Sequence, residues 1–287
     1  MTVTFPPNDL LELRRGGDPK PPWLLDLVLP EVGGGKFDVS QLAAIDENDT
    51  AVALRVSGLD QTTFERLVSE YGSRFIAIEL WKCPRIEDFS PFEDIAGLQM
   101  VSIYWNQRSL RLWNLGRTPQ LRALCFEDFT RLHRLDDLEQ GAALKEVVFG
   151  DAVWRKSVFE TLEPLAALTG LQRLSFHPKR VEDGRIQPLG ELTNLEKLSI
   201  PTNLFTTDQV AWLRARLPDS VESNALAGVV TMPRPVEGGG KSLDVLLVGK
   251  RKPFLDSKID AVRIRKHVQA FEKMVAAFKN DPSREPG

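Results

Sequence analysis

Residues 75–80 read FIAIEL, and the same spacing of apolar positions returns at LQMVSI (98–103), LRALCF (121–126), LKEVVF (144–149), LQRLSF (171–176) and LEKLSI (195–200). The shared pattern is L-x-x-L-x-L, with any aliphatic residue or Phe counted as L. A degenerate copy, AVALRV, stands upstream at 51–56, and successive copies begin 24, 23, 23, 23, 27 and 24 residues apart. A recurring period of this size marks a chain built of stacked units, each unable to bury its apolar side alone. Alternation within each copy predicts a strand, with the L positions facing inward.

The segments between copies repeat as well. IEDFSPFEDIAG (86–97), FETLEPLAALTG (159–170) and IQPLGELTN (186–194) each place a Pro beside apolar residues ahead of the next strand. On these residues the stretch 51–217 resembles the leucine-rich repeat family, and in particular the bacterial internalin-like type. The resemblance implies an α/β solenoid with a parallel concave sheet, short irregular or 3-10 convex turns, and a C-terminal strand–helix cap. The family places Asn or Cys where turn backbone needs a partner. Here those positions hold Cys83, Asn106, Phe129, Ala152, Lys179 and Asn203. Three of the six conform, so the middle turns are expected to satisfy their backbone otherwise, and the long 144–171 unit is expected to bulge outward near 151–156.

Outside the repeats, residues 1–50 read as an N-terminal arm and cap, dense in Pro and Gly, with Trp23–Leu29 as a docked strand or short helix. Residues 61–71 (QTTFERLVSEY) carry apolar positions at helical spacing. Thr206–Thr207–Asp208 followed by Gln209 to Leu217 reads as a helix with a Thr or Asp N-cap that Pro218 stops, closing the solenoid. Residues 218–240, with Pro233, Pro235 and Gly238–Gly240, read as a linker. Residues 241–287 form a basic strand–helix element in which Ile264, Val268, Phe271, Val275 and Phe278 share a helix face.

Strand alternation also lists the concave surface. One column runs Ser57, Trp81, Tyr104, Glu127, Gly150, His177, Pro201. The next runs Arg55, Glu79, Ser102, Cys125, Val148, Ser175, Ser199, and the third Ala53, Ala77, Met100, Ala123, Glu146, Arg173, Lys197. Neighbouring strands lie about 4.8 Å apart, so Trp81 and Tyr104 are expected to touch. Aromatic residues on a rigid sheet are the type enriched at interface hot spots. The candidate partner-binding residues are therefore Glu79, Trp81, Tyr104, Trp105 and Glu127 in the first half, and Arg173 and His177 in the second.

The chain of 287 residues has a net charge of -3, which argues against a protein devoted to nucleic acid. Its start lacks a signal-peptide pattern and no run is long enough to span a membrane, so a cytoplasmic protein is expected. Cys83 and Cys125 stand far apart without a nearby His, giving no zinc or disulfide motif. No catalytic, metal or cofactor motif occurs, and Gly33–Gly35 and Gly238–Gly240 read as linkers. The expected function is a non-enzymatic scaffold that binds a partner protein, such as a toxin or effector, on the concave face. The alternative is nucleic-acid or anionic-surface binding through residues 241–279, which carry ten Lys/Arg against four Asp/Glu. An enzyme would need a pocket where the 144–171 unit meets the C-terminal element.

Overall fold

Each copy of the apolar pattern closes one strand in the computed structural model, which describes residues 22–238 and 241–287. The strands in chain order are β1 (Leu24–Leu27), β2 (Ala53–Ser57), β3 (Ala77–Trp81), β4 (Met100–Asn106), β5 (Ala123–Phe129) and β6 (Glu146–Gly150). After the two-residue β7 (Val158–Phe159) come β8 (Arg173–His177), the two-residue β9 (Arg180–Val181), β10 (Lys197–Ser199) and β11 (Glu222–Ser223). Leaving out β7 and β9, these form one nine-stranded parallel sheet in sequence order. Consecutive neighbours without strand exchange are what a solenoid requires, because each unit packs only on the next.

The inward positions stack into ladders. Leu54, Ile78, Val101, Leu124, Val147, Leu174 and Leu198 lie in register, each no more than 1% exposed. Beside them Phe126, Phe149 and Phe176 form a ring stack with centroids 5.3 and 5.1 Å apart. The far side of each unit is a short 3-10 turn: Ser90–Asp94, Leu115–Arg117, Asp136–Gln140, Glu163–Ala167 and Gln187–Glu191. Pro91, Pro164 and Pro188 sit in the first turn, where a missing N–H costs nothing.

Backbone satisfaction in the turns changes along the solenoid. The buried Asn106 donates through Nδ2 to Cys83 O and Ile86 O (3.3 and 2.8 Å), and its Oδ1 accepts from the N–H of Arg108 and Ser109. Where Asn is lacking, the chain pairs with itself: β7 runs parallel to β9, and Glu160 N–H donates to His133 O. Asn106→Ala strips four backbone groups of their partner, and each buried orphan costs about 1–3 kcal/mol. Urea denaturation should show a loss of at least about 2 kcal/mol, and an unchanged midpoint would remove Asn106 from this role.

Further elements close the two ends of the solenoid. Residues 1–21 of the expected arm lie outside the described residues. Leu24–Leu27 is a true edge strand, followed by a 3-10 turn (Val39–Leu42) capped by Asp38 and by α1 (Ala43–Asp46). Helix α2 (Gln61–Tyr71) begins on Asp60, whose carboxylate accepts from Thr63 N–H. At the other end α3 (Thr207–Arg216) is capped by Thr206 through a reciprocal contact with Gln209.

The linker reading of 218–240 is corrected. Ser223 belongs to the ninth strand, and β12 (Val229–Gly238) pairs antiparallel with β13 (Lys241–Leu247), which pairs with β14 (Phe254–Leu255). Pro233 and Pro235 fit because they fall at a register shift between Thr231 and Val236 on an edge strand, where no ladder donor is needed. Helix α4 (Ala261–Asn280) then buries Phe271, Val275 and Phe278, and it packs against α3. The cap is thus a three-stranded sheet with a helix.

Candidate partner-binding surface

The three outward columns align as the alternation implies, from Ala53 to Lys197, Arg55 to Ser199 and Ser57 to His177. Pro201 lies beyond the end of β10. In the first half of the sheet, burial divides the columns. Ala53, Ala77, Met100 and Ala123 join Leu24 and Cys125 in a second apolar cluster, with Trp23, Ile76 and Val148 packed against it. Ser102 is also fully buried.

Glu79, expected to set charge preference for a partner, is 0% exposed, with Arg55 Nε 3.2 Å from its carboxylate. A charge removed from water is retained only when matched by an opposite one, and Arg55 supplies the match. Glu79 therefore belongs to the interior of this face, and its role as a contact residue is corrected. Cys125 is likewise buried, and burial pushes the Cys83 thiol up to about 12. Cys83 is therefore not nucleophilic in the folded chain, because the thiolate is the reactive form, and burial shields Cys125 from reagents. Ellman's reagent should titrate neither thiol in buffer and both in guanidinium; fast reaction of one thiol under native conditions would contradict this packing.

In the first half of the face, the side chains that stay open are Trp81, Tyr104 and Glu127 of the remaining column, together with its rim. The rings of Trp81 and Tyr104 stack with centroids 4.4 Å apart at 17°, and the Arg55 guanidinium lies 5.1 Å from the Trp81 ring centre. Both aromatics are partly exposed, as is Glu127 beside them. Gly150 follows, at φ 106°, and a Cβ there would come within 2.8 Å of the His177 backbone. Only glycine fits, because the His177 and Pro178 backbone fills the space a side chain would take.

The second half is less basic than its composition suggests. Arg173 is paired with Glu146 at 3.0 Å. Burial holds His177 below the ordinary imidazole range, with Glu127 pulling it upward. Lys197 is exposed.

Just past Trp81, Tyr104 and Glu127 the backbone turns left-handed at Lys82 (φ 55°), Trp105 (φ 64°) and Asp128 (φ 56°), matching Gly58 (φ 74°) one strand earlier. Non-glycine residues pay roughly 1–3 kcal/mol for this region, and such positions cluster where a surface is shaped for use. The repeated turn lifts Trp105 and Asp128 onto the rim. The Gly33–Gly35 loop packs there too: Ser57 Oγ donates to Gly34 O, and Lys82 Nζ donates to Val32 O. The linker reading of that triplet is thereby corrected.

Sequence reasoning missed the rim pocket beside Trp105, of about 200 Å³, lined by Asp128, Asp151, Trp154 and Lys156 among others. Asp128 accepts the N–H groups of Val153 and Trp154, and Asp151 accepts from Ser157, so the 151–157 excursion folds back on two carboxylates. Trp154 is 53% exposed with Lys156 Nζ 5.8 Å from its ring centre. The 27-residue spacing was the available signal.

A cavity of about 360 Å³ does lie where the long unit meets the C-terminal element. Its titratable lining consists of Lys179, Arg180 and Lys250, all cationic, beside Thr206 and Gln209. An acid–base pair is not brought together there. Among the described residues no group of three His, Cys, Asp or Glu side chains could hold a metal ion, and no helix is long and apolar enough to cross a membrane.

No protein-family model and no curated protein matches the sequence. Among solved structures the chain is similar to an internalin from Listeria monocytogenes, at 16% identity over 62% of this chain and 55% of that one, with a TM-score of 0.41. It is also similar to a leucine-rich repeat protein of Leptospira interrogans, at 14% identity over 67% and 54%, with a TM-score of 0.44. The chain spans about half the length of each of these structures. Its own stacked strand-and-turn units, with their leucine and phenylalanine ladders, give it the leucine-rich repeat fold.

Proposed function

We propose that the protein is a non-catalytic scaffold that binds a partner protein along the Trp81–Tyr104–Glu127 column and the adjoining Trp105 rim, and that it works in a bacterial cytosol. The observation that carries the reading is the stacked, partly exposed Trp81–Tyr104 pair on a rigid parallel sheet. Aromatic anchors held in place before binding lose little entropy on contact, which is why they dominate interface energetics. Glu127 sets the local charge of the column now that Glu79 is internal, which favours a basic or polar partner segment. His177 and Arg173 mark the far end, the latter with its charge matched. A toxin or effector is the partner class we favour.

The experiment is capture of the partner from the native host with the full chain as bait, followed by titration of the purified partner against the wild type and the Trp81→Ala/Tyr104→Ala variant. Loss of affinity in a variant with an unchanged circular dichroism spectrum supports the assignment. Equal affinity removes the column as the site.

A further inference from the structure

The corner of the cap formed by β14, the following turn and the first turns of α4 joins two features rarely left exposed together. Phe254, Ile259 and Val262 are 47%, 62% and 63% exposed. Next to them in the chain, Arg251, Lys252, Lys258, Arg263 and Lys266 are all exposed, and none takes part in an ion pair among the described residues.

The turn that presents the apolar side chains is held firmly. Asp256, 6% exposed, accepts from the N–H groups of Ser242, Lys258 and Ile259, while Asp260 Oδ2 accepts from Asp256 N–H. Asp244 accepts from both the N–H and the hydroxyl of Ser257. The carboxylates of this corner are therefore spent on fixing the loop. Helix α4 is anchored from the opposite side by Phe271, Val275 and Phe278, so Val262, Arg263 and Lys266 face away from the protein core.

We propose that this corner docks on an anionic lipid surface, with Phe254, Ile259 and Val262 entering the headgroup layer and the surrounding lysines and arginines meeting lipid phosphates and carboxylates. Charge alone suits any polyanion, but exposed aliphatic side chains among the cations gain nothing from a nucleic-acid backbone. A membrane interface rewards both, since it offers negative potential at the surface and an apolar layer just beneath.

The test is co-sedimentation of the full chain with vesicles of phosphatidylcholine alone or mixed with phosphatidylserine. Binding should require phosphatidylserine and weaken with added salt. Lys258→Gln/Arg263→Gln/Lys266→Gln should lower the partition coefficient about a hundredfold, since each cation near an anionic surface is worth roughly a factor of five. Phe254→Ser/Ile259→Ser/Val262→Ser, which changes only exposed side chains, should lower it about tenfold or more. Absence of binding to phosphatidylserine vesicles at low salt overturns the proposal. So does full binding by the apolar triple variant, or tight binding of duplex DNA that this variant leaves intact.

Discussion

Phe149→Ala is expected to destabilise the protein by about 3–5 kcal/mol, the range for removing a fully buried aromatic ring. Phe149 is 1% exposed, stacked between Phe126 and Phe176, and meets Phe159 edge-on at 5.1 Å. The ring is the central member of the stack, so its loss leaves a cavity and also breaks the coupling between β5 and β8. In a solenoid, stability is a sum of units and of interfaces between neighbours, and a weakened interface lets the two halves unfold separately. Urea titration should therefore show a lowered midpoint and a broadened or split transition. Phe149→Leu, which keeps most of the volume, should cost under about 1.5 kcal/mol. A loss below about 1 kcal/mol for the alanine variant would show that the stack is not a structural spine.

The largest effect on binding is expected from Trp81→Ala/Tyr104→Ala. Aromatic anchors at the centre of an interface cost about 2 kcal/mol or more each when truncated, and about 3 kcal/mol for the pair, once their coupling is allowed for, corresponds to a complex roughly a hundredfold weaker. The two rings touch, so their effects should not add. Each ring fixes the orientation of the other, and the double-mutant cycle should return a coupling of about 0.5–1.5 kcal/mol, as for other aromatic pairs. Arg55 sits against Trp81 and also pairs with Glu79, so the variant leaves the buried ion pair in place while removing the exposed surface above it. Calorimetric titration of the captured partner measures both numbers. An unchanged Kd in a folded double variant, or additive single effects, would contradict the account.

The elements whose form depends on local pattern were legible in the chain. Helix α2 spans the residues its apolar spacing marks, and α3 starts within the Thr206–Asp208 stretch read as its cap, on Thr206. The ends were harder. Leu24–Leu27 and Glu222–Ser223 are short, lack the repeat, and become strands only because β2 and β10 present unpaired edges for them to complete. Val229–Gly238 reads as a linker because Pro usually breaks strands, and it escapes that rule by lying at a sheet edge with a register shift. In the candidate site, Trp81, Tyr104 and Glu127 follow from strand alternation. Trp154 does not, because its place beside Trp105 depends on an irregular excursion clamped by Asp128 and Asp151.

The amino-acid order by itself determined the repeat, the parallel register and the assignment of side chains to the inner or outer face of the sheet, since a strand has a period of two and any slip would turn its leucines outward. Tertiary structure alone decided which outward side chains are available. Glu79, Met100 and Cys125 point to the same side as Trp81 and Tyr104, yet they are buried and the aromatic pair is not. Burial is set by what packs over a position from distant parts of the chain, and the left-handed turns at Lys82, Trp105 and Asp128 are held against their local preference by that same packing.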